Sequence, residues 1–295
     1  MSDPQAPLRD MKAEHEFFVG IDSDGCAFDT MEPKHKECFC PVFIWKFKLA
    51  PVSKYAREAW DFVNLYSRLR GCNRFHAVAY VLDFLREREE VKRRGVRIPE
   101  MKEMREWTKR ETKLGNPALE EEVKRTGSRD LAMLLDWSKT VNETVAKIVK
   151  EVPPFPWVRE SLEKLSKKAD IIVVSATPGE ALVREWKEHN IDRHVKVIAG
   201  QEMGTKAEHL KLASSGKYEP GKVLMIGDAE GDLKAARVNA ALFFPTNPGH
   251  EEESWKLFFD EAMDAFLQGT YAGDYEKKLI DRFLTYLPET PPWKK

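Results

Sequence analysis

At 295 residues the chain reaches the size at which one hydrophobic core stops growing, which predicts two domains. Its 48 basic and 49 acidic side chains nearly cancel, which excludes a globally basic nucleic-acid binder and a polyanionic tail protein. Apolar residues make up 42%, with 16 Phe and 8 Trp among the total, so global disorder is excluded as well.

In chain order, residues 1–14 read as a flexible, solvated tail. Phe17-Phe18-Val19-Gly20-Ile21 is a short apolar run stopped by Asp22-Ser23-Asp24-Gly25, the pattern of a buried strand that meets a polar loop. After a short apolar piece, Val42-Phe43-Ile44-Trp45, residues 33–151 read as helix after helix. Ala59, Phe62, Tyr66 and Leu69 share one helical face. Residues 85–127 are dense in charge of alternating sign, which marks a solvated face rather than a nucleic-acid groove. Pro153-Pro154-Phe155-Pro156 reads as a stiff linker. Three more apolar runs follow: Ile171–Val174 into Ser175-Ala176-Thr177, Val223–Ile226 into Gly227-Asp228, and Ala241–Phe244 into Pro245. Val195–Ile198 is a weaker candidate strand. Helices are expected at Ser161–Lys168, Glu180–Asn190 and Gly231–Ala240. Continuous apolar strands alternating with helices predict an α/β fold with a doubly wound parallel sheet. The C-terminal segment adds two amphipathic helices, one with Trp255, Phe258, Ala262 and Phe266 on a face, the other with Tyr275, Leu279, Phe283 and Tyr286.

No apolar run approaches the roughly 20 residues of a membrane helix, and the polar start lacks the apolar stretch of a secretory signal. The four cysteines, Cys26, Cys38, Cys40 and Cys72, contain no C-x-x-C pair, so reduced thiols and a cytoplasmic location are the expectation. No nucleic-acid or membrane partner is expected.

In an open α/β sheet, ligands bind at the carboxyl ends of the strands. Three runs deliver polar groups there: Asp22 and Asp24, Ser175 and Thr177, and Asp228, with Asp232 one helical turn further on. Lys206 lies in a connecting segment. Converging carboxylates raise one another's pKa and stay ionised together only around a cation. Oxygen ligands without histidine favour Mg²⁺, which takes a phosphate oxygen as a further ligand. A carboxylate in such a site is a potential nucleophile, and a second one a general acid and base. A lysine and a hydroxyl suit the oxygens of a transferring phosphoryl group.

Phe17–Thr30 (FFVGIDSDGCAFDT) resembles the D-x-D-G-x-x-x-D-T opening motif of the haloacid dehalogenase-like hydrolase superfamily. Val174-Ser175-Ala176-Thr177 is similar to its second motif, Lys206 to its third, and Gly227-Asp228-x-x-x-Asp232 to its fourth, in the same order over roughly residues 15–250. The resemblance implies a Rossmann-like core of residues 1–32 and 152–295, with 251–295 as extra C-terminal helices, and an inserted helical cap of the C1 type at 33–151. It implies Asp22 as nucleophile, forming an aspartyl-phosphate. Asp24 becomes the general acid and base, with its main-chain carbonyl on Mg²⁺. Asp22 and Asp228 become metal ligands, Ser175 and Lys206 phosphoryl contacts, and Asp232 the residue that orients Lys206 or the metal shell. The superfamily's dehalogenases lack the second aspartate, because a halide leaves without a proton. Its presence as Asp24 points to a phosphatase acting on a small phosphorylated metabolite.

Arg70-Gly71-Cys72-Asn73-Arg74 is similar to a cap segment of the sugar-phosphate mutase branch that contacts a second phosphate. Arg70 and Arg74, with Thr177, are therefore candidate substrate contacts, and a mutase of the beta-phosphoglucomutase type is the alternative enzyme. A non-catalytic binding module that retains the fold is the alternative of another class. Gly216–Lys222 fits the spacing of a phosphate-binding loop, but it precedes a strand and ends on Val223 where Ser or Thr is needed.

Overall fold

The structure is a computed structural model that describes residues 3–294. The chain divides into two compact units: Met1–Thr30 with Glu151–Leu287, and Met31–Lys150 with Pro288–Lys295.

The first unit is built on five parallel strands, β1 (Phe17–Ile21), β2 (Ala169–Val174), β3 (Val197–Ala199), β4 (Val223–Gly227) and β5 (Leu242–Pro245), in the order β3-β2-β1-β4-β5. From β1 the chain winds outward to β2 and β3, then crosses back to β4 on the other side of β1. Strand order therefore reverses between β1 and β4, and the carboxyl ends of strands at such a switch point are where open α/β sheets bind ligands. Alternate residues feed two separate cores. Val19, Ile21, Ile171, Val173, Leu224 and Ile226 face one side, against Leu162, Trp186 and Trp255. Phe18, Ile172, Val174, Met225 and Phe243 face the other, against Leu210, Ala235 and Phe283. Burial on both faces is why these strands read as unbroken apolar runs.

The helices around the sheet are Val158–Leu165, Gly179–Glu188 and Glu230–Val238, each starting one to three residues before the expected position and ending two or three before it. Two of the overestimates end on residues with positive φ, Asn190 (56°) and Ala240 (51°), just past the observed helices. The expected β-strand at 195–198 is found as the three residues of β3, 197–199, at the sheet edge, with Lys196 donating its amide to Ile171 of β2 just ahead of it.

Three expectations are corrected here. The N-terminal segment is docked rather than solvated. Ala6–Arg9 is helical, Leu8 and Met11 are buried in the core, and Lys217 Nζ donates to the carbonyls of Leu8 and Arg9. The face expected to run from Ala59 to Leu69 is cut short, because the helix Ser53–Asn64 ends before Tyr66. The last helix, Asp274–Tyr286, buries Glu276, Ile280 and Phe283. Glu276 enters because β5 is an edge strand: its Oε1 accepts from the Phe243 amide (2.8 Å) and from Arg237 Nη1 (3.0 Å).

A buried carboxylate closes the amino end of the sheet. Asp170, in β2, accepts from the amides of Glu14 (2.8 Å) and His15 (3.1 Å), from Tyr218 Oη (2.6 Å) and from Lys196 Nζ (2.8 Å). Burial alone would raise its pKa, but these donors outweigh burial and hold it well below the usual carboxylate range. A carboxylate with a depressed folded pKa stabilises the protein above the unfolded pKa of about 3.9 and stops doing so as pH falls toward the folded value. Asp170→Asn is expected to cost about 3 kcal/mol at pH 7, because Lys196 loses its buried partner. Urea unfolding should show that gap narrowing below about pH 4. A gap independent of pH would mean that the carboxylate's charge is not what holds the segment.

The second unit is all-helical. Its main helices are Cys40–Lys46, Ser53–Asn64, Arg74–Glu87, Lys102–Arg110, Asn116–Thr126 and Arg129–Ile148. They enclose an aromatic core in which Trp60 meets Phe43 at 5.0 Å and Trp137 at 6.0 Å between ring centroids. The run Val42–Trp45 lies in the first of these helices. Residues 288–294, expected with the C-terminal helices of the core, belong to this unit instead. Trp293 stacks edge-on against Phe62 and Phe84. Among the described residues no helix is long and apolar enough to cross a membrane, and all four cysteines are free.

Candidate active site

At the carboxyl ends of β1 and β4, the chain places one acidic group after each strand. Asp22 follows Ile21 and donates its amide to the carbonyl of Ile226 on β4 (3.0 Å), so the two strand ends are pinned together where their polar groups emerge. Asp228 follows Gly227. Asp232 stands in the first turn of the helix Glu230–Val238. One carboxylate oxygen from each of Asp22, Asp228 and Asp232 lies within 4.8 Å of the others, and all three residues are buried.

Lys206 opens the helix Lys206–Ser214, whose start is fixed by a capping box between Thr205 and Glu208. Its Nζ donates to Asp22 Oδ2 (2.8 Å) and to Asp232 Oδ1 (2.6 Å). The second oxygen of Asp232 accepts from the amides of Asp228 (3.2 Å) and Ala229 (3.1 Å). Asp232 therefore ties the lysine to the loop that carries Asp228.

Burial raises the pKa of Asp22 well above the usual carboxylate value, Asp232 and Asp228 add to the rise, and Lys206 pulls against it. Burial disfavours the Lys206 ammonium, but the carboxylates of Asp22, Asp232 and Asp228 outweigh it and raise its pKa. Three carboxylates around one ammonium make an oxygen-only donor set that is two charges short of neutral. A hard divalent cation fits both the chemistry and the spacing of these oxygens.

Asp24, two residues after Asp22, is anchored at both oxygens. Thr30 Oγ1 donates to Oδ1, and Thr177 Oγ1 donates to Oδ2 at 2.7 Å. Thr177 thus stands at the site through Asp24. Ser175, nearly fully buried, donates its amide to Ala199 (3.0 Å) on β3, and its hydroxyl accepts from the Thr177 amide (3.1 Å). The structure brings Asp22, Asp228, Asp232 and Lys206 into one cluster and holds Asp24, Ser175 and Thr177 on the same carboxyl edge of the sheet.

Arg70 and Arg74 are engaged within their own helical unit. Arg70 is buried, and its Nη1 donates to the Leu65 carbonyl (2.9 Å). Arg74 Nη1 donates to Ser138 Oγ (3.1 Å) and Asn142 Oδ1 (2.7 Å), with its guanidinium 4.9 Å from the Phe39 ring centroid. Burial brings its pKa down to about 10.

Three supporting features were not foreseen from the sequence. Thr30 holds Asp24, although the opening motif had included it. Ser23 lies between the two aspartates and turns its hydroxyl away from the cluster. It accepts from Trp186 Nε1 (3.0 Å) and donates to Glu185 Oε2 (3.3 Å), while its carbonyl gathers the amides of Ala27 (2.9 Å) and Phe28 (3.0 Å). The helix that follows Thr177 thereby braces the loop that carries Asp22 and Asp24. Gly227 is required by space: a Cβ there would lie 2.4 Å from Asp232 Cβ and 2.6 Å from its Oδ2. Gly227→Ala is expected to destabilise by about 1–3 kcal/mol by displacing Asp232 from Lys206, read as a lower urea midpoint. An unchanged midpoint would show that the loop yields without cost.

Residues 97–242 match the family model described as haloacid dehalogenase-like hydrolase. No curated protein matches the chain. Among solved structures, a haloacid dehalogenase-like family hydrolase from Streptococcus pneumoniae is 16% identical, with 83% of this chain and 90% of that chain covered and a TM-score of 0.45. A haloacid dehalogenase-like family hydrolase from Xanthomonas campestris is 12% identical, with 87% and 94% covered and a TM-score of 0.47. A hydrolase of the same superfamily from Geobacter sulfurreducens is 16% identical, with 83% and 97% covered and a TM-score of 0.40.

Proposed function

We propose that this chain, a haloacid dehalogenase-like hydrolase, is a Mg²⁺-dependent phosphatase acting on a small phosphorylated metabolite, with the helical unit as its cap. The observation that carries this reading is the buried cluster in which Lys206 bridges Asp22 and Asp232 beside Asp228.

In this reading Asp22, Asp228 and the main-chain carbonyl of Asp24 hold the metal. When bound, Mg²⁺ neutralises the carboxylates and the phosphoryl oxygens. Asp232 has one oxygen on Lys206 and the other on two amides, so it serves to orient the lysine. A carboxylate oxygen of Asp22 attacks phosphorus, and the ester P–O bond breaks. Asp24 gives its proton to the departing alkoxide, which leaves an acyl phosphate on Asp22. Asp24, now ionised, takes a proton from water, and the hydroxide displaces phosphate from Asp22. Lys206 and Ser175 hold the non-bridging oxygens through both steps. Thr30 and Thr177 keep the Asp24 carboxylate in place between its two roles.

The mutase alternative drew on Arg74, whose donors to Ser138 and Asn142 lie within its own unit, so the arrangement lends it no support. The test is hydrolysis of p-nitrophenyl phosphate with Mg²⁺ and with EDTA. Turnover that needs the metal is expected. Folded protein that binds Mg²⁺ yet releases no phosphate from this ester or from a panel of metabolites would favour the binding module.

A further inference from the structure

Thr246 stands one residue past β5, within the first unit. Its amide donates to the carbonyl of Gly227 (2.8 Å), which carries the pairing of β4 and β5 up to the level of Asp228. The loop that Thr246 opens is short and held in place. Asn247 directs both its amide (3.0 Å) and its Nδ2 (3.2 Å) at Ser254 Oγ, and that hydroxyl donates to the His250 carbonyl (2.8 Å). Pro245 and Pro248 stiffen the same stretch.

The Thr246 side chain is fully buried, yet its hydroxyl has no hydrogen-bond partner of normal geometry among the described residues. It faces the thiol of Cys26, also fully buried, and a thiol is a weak donor and a weak acceptor. Burial raises the pKa of Cys26, and the carboxylates of Asp22 and Asp228 raise it further. Thiol and hydroxyl therefore stand beside the two carboxylates that serve as metal ligands in the proposed function. A hydroxyl buried without a partner weakens a fold, and valine would fill the same space without that cost. Such a group calls for something that binds it.

The acidic cluster has a use for it. Mg²⁺ keeps several of its waters when a protein holds it, and those waters donate hydrogen bonds. The carboxylates leave them few acceptors. Asp232 has one oxygen on Lys206 and the other on two amides, and Asp22 accepts from Lys206 and from the Ser23 amide (2.8 Å). We propose that the Thr246 hydroxyl accepts a hydrogen bond from the hydration shell of the cation held by Asp22 and Asp228, and so acts as a positioning residue for that cation. This role rests on the Mg²⁺-dependent reading of the site.

The test titrates Mg²⁺ alone into the metal-free full chain, read by calorimetry, with urea unfolding in EDTA alongside. Thr246→Val removes the hydroxyl and keeps the shape of the side chain, whereas Thr246→Ser keeps the hydroxyl. The parent is expected to bind Mg²⁺, and Asp228→Asn to lose the binding heat. Thr246→Ser should bind within about twofold of the parent, and Thr246→Val on the order of 10-fold more weakly. In EDTA the urea midpoint of Thr246→Val should equal or exceed that of the parent. A hydroxyl with a purely structural role gives the reverse, a lower midpoint with unchanged affinity, and that result overturns the assignment. Equal affinity in Thr246→Val and the parent also overturns it, while the metal-dependent reading stands. A parent that binds no Mg²⁺, or whose binding survives Asp228→Asn, removes the role of Thr246 together with the metal site itself.

Discussion

Asp22→Asn is expected to abolish Mg²⁺-dependent phosphate release, by at least about 10³-fold, while making the metal-free protein more stable. The loss of turnover follows from the amide, which has no anionic oxygen to attack phosphorus. The gain in stability follows from burial and from the carboxylates of Asp232 and Asp228, which raise the Asp22 pKa above its unfolded value against the pull of Lys206. An acid with a raised folded pKa destabilises the fold above that pKa, and the cost disappears as pH falls below the unfolded value. In EDTA the parent should therefore gain on the variant as the pH is lowered from 7 toward 4, and Mg²⁺ should raise the melting temperature of the parent more than that of the variant. Calorimetry with EDTA and with Mg²⁺ checks both. A variant that is inactive and also less stable without metal would point to a structural role for Asp22 and would weaken the nucleophile assignment.

What sequence made visible here was set by strand ends. Asp22 and Asp228 each close an unbroken apolar run, and a polar group at that point in a parallel sheet has nowhere to go but the carboxyl edge. Asp232 was visible because four residues make a helical turn. Lys206 was not legible in this way: it lies in a connection, and only its resemblance to the third motif singled it out. The bracing of the Asp22–Asp24 loop was hidden for a different reason. Trp186 and Ser23 are 163 residues apart and meet only because the helix after β2 runs back past β1. Periodicity carries no information about such a pair. Asp170 lies just before the apolar run Ile171–Val174, and nothing in the sequence shows that the amides of Glu14 and His15, Tyr218 and Lys196 converge on it. The polar N-terminal segment was misread because only two of its side chains, Leu8 and Met11, are buried, and much of its remaining hold is through main-chain groups, the Leu8 and Arg9 carbonyls and the Glu14 amide. Trp293 was likewise assigned by position in the chain, whereas its partners lie some 200 residues earlier in sequence, in the helical unit.

Lys206→Met is expected to act on the same cluster with the opposite sign for stability. Removing the ammonium leaves Asp22 and Asp232 buried without their shared cation, and losing one partner of a buried pair costs about 3–5 kcal/mol. In EDTA the variant should unfold at a clearly lower urea concentration than the parent, where Asp22→Asn unfolds at a higher one. Mg²⁺ should restore part of the lost stability, since a divalent ion brings positive charge to the same oxygens, but not the turnover, which should stay at least about 10²-fold down for want of a donor to the phosphoryl oxygens. The double variant Asp22→Asn/Lys206→Met provides the sharper check. If the two side chains act through their 2.8 Å contact, the lysine costs less to remove once Asp22 is neutral, and the cycle should show a coupling of about 1–3 kcal/mol. Additive effects would mean that Lys206 is held by Asp232 alone. Its bond to Asp22 would then be incidental to both the fold and the chemistry.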